Sequence, residues 1–237
     1  FAIVCVGAGG GTAWALTEAS ITHPATASLG TAGTGEAPNS TGDNPGTGSG
    51  SANGGTISSA TIAKIDRAVV DINAETATKN GAVAGTGMIL TSGGLVLTNN
   101  HVIDGTINIT AQIDGTGPIY KAVVIGYDAS DDVGLIQLQG VSNLPTIPIG
   151  DSSKVAVGDA ITVLGNALGK GGTPAEVTGA VTQLDQQVTA SDESGDNETL
   201  TGMIQVSAAI QPGDSGGPEV NSAGQVLGMT PAGAQSG

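Results

Sequence analysis

The sequence predicts an all-β protein of antiparallel strands, and three observations lead there. From about Ile57 onward, short Val/Ile/Leu runs are separated by Gly, Asp, Asn and Ser clusters at intervals of roughly 8–15 residues, with little helical periodicity between them. Aromatic residues make up 2% of the chain and hydrophobic residues 38%, so the core has to be built from aliphatic, largely β-branched side chains. Glycine is abundant, 40 of 237 residues, without the Gly-X-Y period of collagen. These features indicate a barrel or sandwich, and the length of this texture suffices for one large or two small barrels.

Residues 1–19 read as a truncated signal or membrane-anchor segment. Phe1 rather than Met opens the chain, and residues 1–16 (FAIVCVGAGGGTAWAL) carry no charge. The run AIVCV followed by Gly7, Gly9, Gly10 and Gly11 imitates a dinucleotide-binding turn, but Thr12 takes the sixth position and no βαβ unit follows. Residues 20–56 hold almost no large apolar side chain, which leaves nothing to offset ordering entropy and predicts a flexible linker. His23, beside Pro24, is a solvated residue of that linker. Ile62, Ile65 and Val69 then follow a helical spacing behind Ser58 or Ser59 as cap, so a short helix opens the domain. The strands expected after it are VVDINA, GTGMILT, GLVLT, TINITAQI, KAVVIGY, VGLIQL, AITVLG, AEVTGAVTQL, GMIQV and GQVLGM.

Charge and rare residues narrow the chemistry. Six Lys and Arg stand against 21 Asp and Glu, a net charge of −15, which opposes binding to nucleic acid or acidic membranes. Cys5 is the one cysteine, so the body of the chain has no thiol for disulfides, iron–sulfur clusters or thiolate zinc sites. With His23 and His101 the only histidines, no metal or cofactor is expected.

The sharpest motif is Gly213-Asp214-Ser215-Gly216-Gly217-Pro218, preceded by Gln211-Pro212. A serine hydroxyl is a weak nucleophile and needs a base for its proton and donors for the oxyanion that forms. The flanking glycines permit a tight turn that points the amides of Gly213 and Ser215 into one small pocket. The motif also fits the nucleophile elbow of α/β-hydrolases, but in that order a histidine follows the serine, and none follows Ser215. His101, at the end of the strand over 94–98, is then the available base. Among the acids between it and Ser215, Asp132 abuts the apolar run VGLIQL and can be shielded there, and is preferred over Asp131 and Asp128 in the polar turn.

The segments TNNHVI, DDVGLIQL and IQPGDSGGP resemble the chymotrypsin/trypsin-like serine proteases. With GTGMILTSGGLVLTNNHVI, the likeness is nearest the HtrA (Deg) branch and its actinobacterial secreted PepA-like members, and runs from about Ile57 to Met229. The resemblance implies two antiparallel six-stranded β-barrels, an N-terminal one over 57–145 and a C-terminal one over 146–237 that is incomplete at its C-terminus, with the active site in the cleft between them. By position it implies His101 as general base, Asp132 as its orienting acid, Ser215 as nucleophile, and the amides of Gly213 and Ser215 as oxyanion hole. The expected activity is endopeptidase action on polypeptide substrates in the cell envelope or outside the cell, with a membrane tether or an oligomer of the full-length protein left open. The alternative is a catalytically impaired homologue that binds unfolded polypeptides.

The substrate pocket is assigned to Ala209 and Ile210 on one side and Thr230, Pro231 and Ala232 on the other. The absence of an acid at Ala209 and Ile210 favours a small or medium apolar side chain over Lys or Arg. Three positions depart from the family pattern. Ser207 stands where an Asp is usual, Glu219 where an apolar side chain turns inward, and Pro231 in a strand expected to pair with substrate. The start at Phe1 and the end at Gly237 read as a fragment, since relatives continue with a strand, a helix and usually a PDZ domain. Gly165-Asn166-Ala167-Leu168-Gly169-Lys170 imitates a phosphate loop with wrong spacing, and Asp192, Glu193, Asp196 and Glu198 form a solvated acidic loop.

Overall fold

The structure is a computed structural model that describes residues 2–3, 6–7, 55–77, 81–191, 197–231 and 234–235. Of the N-terminal stretch it describes two short strands, β1 (Ala2–Ile3) and β2 (Val6–Gly7). The expected anchor and linker, with His23 and Cys5, otherwise lie outside the described residues, as does the acidic loop at Asp192, Glu193 and Asp196. Among the described residues no helix is long and apolar enough to cross a membrane.

Helix α1 (Ser59–Asp66) forms where the spacing of Ile62 and Ile65 predicts it. Ser58 caps it, its hydroxyl accepting the Thr61 N–H at 3.1 Å. Val69 leaves the helix and opens β3 instead, because Arg67 is already the C-cap.

Six strands then close on themselves: β3 (Val69–Thr76), β4 (Ala82–Ile89), β5 (Leu95–Thr98), β6 (Thr106–Ile113), β7 (Ile119–Asp128) and β8 (Val133–Leu138). Their order around the barrel is β3-β4-β5-β8-β7-β6, antiparallel throughout. Closure leaves the sheet no free edge at its seam. Its interior is aliphatic, with Val70, Ile72, Ile89, Val96, Ile136 and Leu138 all at 2% exposure or less. Each such side chain contributes roughly 1.5–3 kcal/mol by leaving water, so no disulfide is needed here. A single-turn helix, α2 (Asn100–Ile103), interrupts the path from β5 to β6 and seats Val102 and Ile103 on this core.

The second half is an open sheet. It contains β9 (Ala160–Gly165), β10 (Ala175–Ser191), β11 (Asn197–Val206), β12 (Pro218–Val220) and β13 (Val226–Met229), ordered β1-β13-β12-β9-β10-β11. The second barrel expected to be incomplete is thus a curled sheet of six strands, one of them the dipeptide β1 laid parallel to β13. A last dipeptide, β14 (Ala234–Gln235), pairs in parallel with β2. Strand β12 was not expected: its three residues follow the Gly-rich turn directly and show no alternation.

A shared apolar seam joins the halves. Ile57, Ile62 and Ile65 from α1 and its approach pack with Met88 and Leu97 of the barrel and with Leu164, Val220, Val226 and Met229 of the sheet. Helix α1 therefore wedges between the two units rather than belonging to the first alone.

Candidate active site

The site grows from the end of β5. At Asn99 the strand stops and α2 begins, and its first amides need acceptors that a single turn cannot supply. Asp132 supplies them from the β7–β8 turn: its carbonyl accepts from Asn100 N–H at 3.2 Å and from Asn99 Nδ2 at 2.8 Å. Its carboxylate accepts the backbone N–H of His101 at 3.0 Å on Oδ1. The His101 ring completes the grip, Nδ1 lying 2.8 Å from Oδ2 and 3.1 Å from Oδ1. To hold five contacts at once, Asp132 adopts φ +48, a left-handed backbone that Asp tolerates better than most residues.

This arrangement fixes the tautomer. An ionised carboxylate only accepts, so Nδ1 carries the proton and Nε2 of the neutral ring presents its lone pair. The Asp132 side chain is 5% exposed and that of His101 36%, so the carboxylate is shielded while the imidazole edge reaches solvent. Asp131 and Asp128 are both exposed. The Ser130 hydroxyl and amide donate to Asp128 and hold its carboxyl below the usual range.

The Ser215 loop is built on main-chain contacts. Gly213 has φ +96, and a side chain there would collide with the Asn166 carbonyl. Pro212 C=O accepts from Leu168 N–H, and Asp214 C=O accepts from Gly217 N–H at 2.8 Å. Among the described residues, the amides of Gly213 and Ser215 have no hydrogen-bond acceptor. The loop and α2 meet across Gly85 of β4: a Cβ there would come within 2.7 Å of Val102 and 3.3 Å of the Ser215 carbonyl. Ser215 itself is 8% exposed, and its Oγ donates to the Pro231 carbonyl at 3.3 Å rather than to His101. Asp214 is buried beside Gly165, with Oδ2 accepting the Gln211 N–H at 2.8 Å and Oδ1 unpartnered. Burial pushes its carboxyl up to about 6, against the opposing effect of the Gln211 amide.

The remaining expected residues are distributed unevenly. Ala209 is exposed and Ile210 half-buried against the core of the second sheet. Thr230 is fully buried, its N–H donated to Gly217 C=O and its C=O accepting from Gly216 N–H. Pro231 is buried, and Ala232 lies outside the described residues. Glu219 turns inward on β12 and is 1% exposed, yet it is not left unpaired, since Thr230 Oγ1 donates to it at 3.4 Å. Ser207 is exposed and its hydroxyl accepts the Ala180 N–H at 3.0 Å. Two participants escape sequence reasoning. The segment over 165–170 that imitates a phosphate loop instead covers the Gln211–Gly213 turn, and Thr86 of β4 reaches into the same loop. The first carries a misleading local signal and Thr86 carries none, because each acts on residues distant in sequence.

A closed barrel with a curled sheet docked on it, a buried carboxylate holding an imidazole on the barrel, and a Gly-Asp-Ser-Gly turn in the second half are the architecture of a trypsin-like peptidase domain. Residues 85–229 match the trypsin-like peptidase domain family, and the chain belongs to it. Within that family its relatives are HtrA-type proteases. The chain is similar to serine protease PepD of Mycobacterium tuberculosis, 36% identical over 159 residues that cover 62% of this chain and 33% of the relative. It is also similar to a do/HhoA-like periplasmic serine protease of Haemophilus influenzae, 41% identical over 149 residues covering 62% and 30%. Among solved structures, the HtrA-type protease AlgW with tripeptide superposes with a TM-score of 0.61 and 28% identity, over 71% of this chain and 52% of that one. The chain thus spans about a third of the length of these curated relatives.

Proposed function

We propose that the chain is the peptidase part of an exported serine endopeptidase. Ser215 is the nucleophile, His101 the general base, Asp132 the residue that orients the imidazole, and the Gly213 and Ser215 amides the oxyanion donors. The observation that supports this most is the His101 Nδ1 to Asp132 contact at 2.8 Å, which leaves Nε2 unprotonated at the exposed ring edge. Ser215 Oγ has to leave the Pro231 carbonyl, a long contact at 3.3 Å, and rotate about χ1 toward that nitrogen. Nε2 takes the hydroxyl proton as Oγ attacks the scissile carbonyl, and the oxyanion settles on the two amides. The proton then passes to the leaving amine, and water frees the acyl group from Oγ by the same relay. Exposed Ala209 and half-buried Ile210 bring no charge to the entrance, which favours small or medium apolar side chains at the cleaved position. Relatives named as periplasmic proteases support the exported location.

The Ser215 to Pro231 contact favours a second reading, in which the barrels bind unfolded or envelope polypeptides without cleaving them. A fluorophosphonate probe separates the two. An activated hydroxyl gives a covalent adduct mapped by mass spectrometry to Ser215; a pure binder gives none. Hydrolysis of esters but not of peptides by a labelled protein would turn the assignment to an esterase. A peptide library that returned Arg as the preferred cleaved residue would remove the apolar-pocket part.

A further inference from the structure

We infer that Thr86, on the closed barrel, is the positioning residue that sets the oxyanion donors relative to one another; this rests on the peptidase reading above. In a planar trans peptide the N–H and C=O point in opposite directions. Anchoring Pro212 C=O on Leu168 N–H therefore turns the Gly213 N–H the other way, and anchoring Asp214 C=O on Gly217 N–H does the same for Ser215 N–H. What decides whether these two amides converge is the peptide between them, Gly213 C=O to Asp214 N–H. Its N–H donates to Gln211 C=O at 3.1 Å, and its C=O accepts Thr86 Oγ1–H at 2.7 Å.

Thr86 holds the Ser215–Gly216 peptide as well. Its own N–H donates to Ser215 C=O at 2.8 Å. The same hydroxyl that donates to Gly213 accepts the Asn166 N–H at 2.8 Å, so the segment covering the loop is tied to the same atom. Thr86 C=O in turn accepts Thr98 Oγ1–H at 2.7 Å, and Thr98 ends the strand that leads into His101. Every polar group of Thr86 is engaged, and the residue is 0% exposed. Its hydroxyl lies 127 positions from Gly213 in sequence and joins the barrel carrying His101 to the loop carrying Ser215. Deleting it leaves the half-buried Gly213 carbonyl and the buried Asn166 amide without partners, and the 213–214 peptide is then held only through its Asp214 N–H.

The test compares the full chain with Thr86→Val, Thr86→Ala and Thr86→Ser, measuring kcat and KM on a peptide substrate, inhibition by a peptidyl boronate, and fluorophosphonate labelling. Thr86→Val should lower kcat by about 10- to 100-fold, less than the loss of an oxyanion donor itself, with KM within about twofold. Boronate affinity should fall in parallel, because the tetrahedral adduct needs the converged amides. Thr86→Ser should restore both, since it keeps the hydroxyl. An unchanged kcat and boronate affinity in Thr86→Val overturns the inference, as does a Thr86→Ser variant as impaired as Thr86→Val, which would assign the effect to methyl packing. Where Thr86→Val does not fold, Thr86→Ala takes its place, and equal activity of Thr86→Ala and Thr86→Ser overturns the inference. A wild-type chain that takes no fluorophosphonate label brings down the peptidase reading with it, whereas a labelled wild type with an indifferent Thr86→Val strikes Thr86 alone.

Discussion

The His101 half and the Ser215 half of the site are held by different means. His101 and Asp132 are joined side chain to side chain, with the carboxylate also accepting the His101 N–H and the Asp132 carbonyl accepting the Asn100 N–H, all on one closed barrel. Ser215 sits on a turn whose shape comes from main-chain contacts to the 165–170 segment, to Gly217 and, across the barrel boundary, to Thr86. The first half is locally complete; the second depends on the docking of two units. Small perturbations of the docking should therefore leave the imidazole in place and displace the Ser215 loop.

Removing the chemical groups themselves gives the largest expected change. Ser215→Ala and His101→Ala should each lower turnover by about three to six orders of magnitude, and the double variant should lose little more, because the proposed mechanism uses them as a unit. Single-turnover kinetics on a peptide substrate measures this, and additive losses would break the unit apart. Asp132→Asn should lower kcat by about 10⁴-fold, since an amide can donate to Nδ1 and leave the proton on Nε2. Imidazole nitrogen chemical shifts should register that change of tautomer, and an unaltered tautomer would count against Asp132 as the orienting group.

Perturbing the loop alone is a sharper test of the comparison. Gly213→Ala places a side chain at φ +96 against the Asn166 carbonyl, so the turn has to move. Turnover should fall by about 10²–10³-fold, the scale of losing one oxyanion donor, while the His101 resonances stay where they are. A shifted imidazole would show that the halves are not separable.

The smallest expected effect is on stability against pH. Burial raises Asp214 from 3.8 to about 6, and burial with Asp114 nearby does the same for Asp66 and Asp71, with Glu176 adding to the effect at Asp66. Asp71 is 1% exposed and neither of its oxygens has a partner, which fits a carboxyl that keeps its proton. A raised folded-state pKa means that the native state holds protons the unfolded chain has released. The stability from these groups is fully present below about pH 4 and is lost as pH rises through about 6. Thermal unfolding should show Tm falling between those values, with a shallower slope in Asp71→Asn. A Tm that rises over that interval would contradict the burial of these carboxyls.

Much of this architecture was legible before any coordinates. The strands of the first barrel announce themselves as aliphatic runs between turn residues, and Asp132 stands out because VGLIQL follows it at once. Glu219 is instructive in the other direction: the sequence marks it as out of place, and the approach of Thr230, which follows β13, gives it a hydrogen-bond donor. The phosphate-like spelling of 165–170 misleads, since its glycines and Leu168 at φ +62 serve a turn that packs on the Gln211–Gly213 turn.

From the residues alone follow the all-β class, the expectation that the body of the chain uses neither thiol nor multi-histidine chemistry, and the short list of His101, Asp132 and Ser215, because hydrophobic period, turn composition and scarcity are local or countable properties. Three things depend on chain segments brought together from far apart: the open form of the second sheet, the contact of Ser215 with Pro231, and the clamp of Thr86 on Gly213. Hydrogen bonds over such sequence distances are satisfied only once the apolar seam between the two halves has closed, and no short stretch of sequence records them.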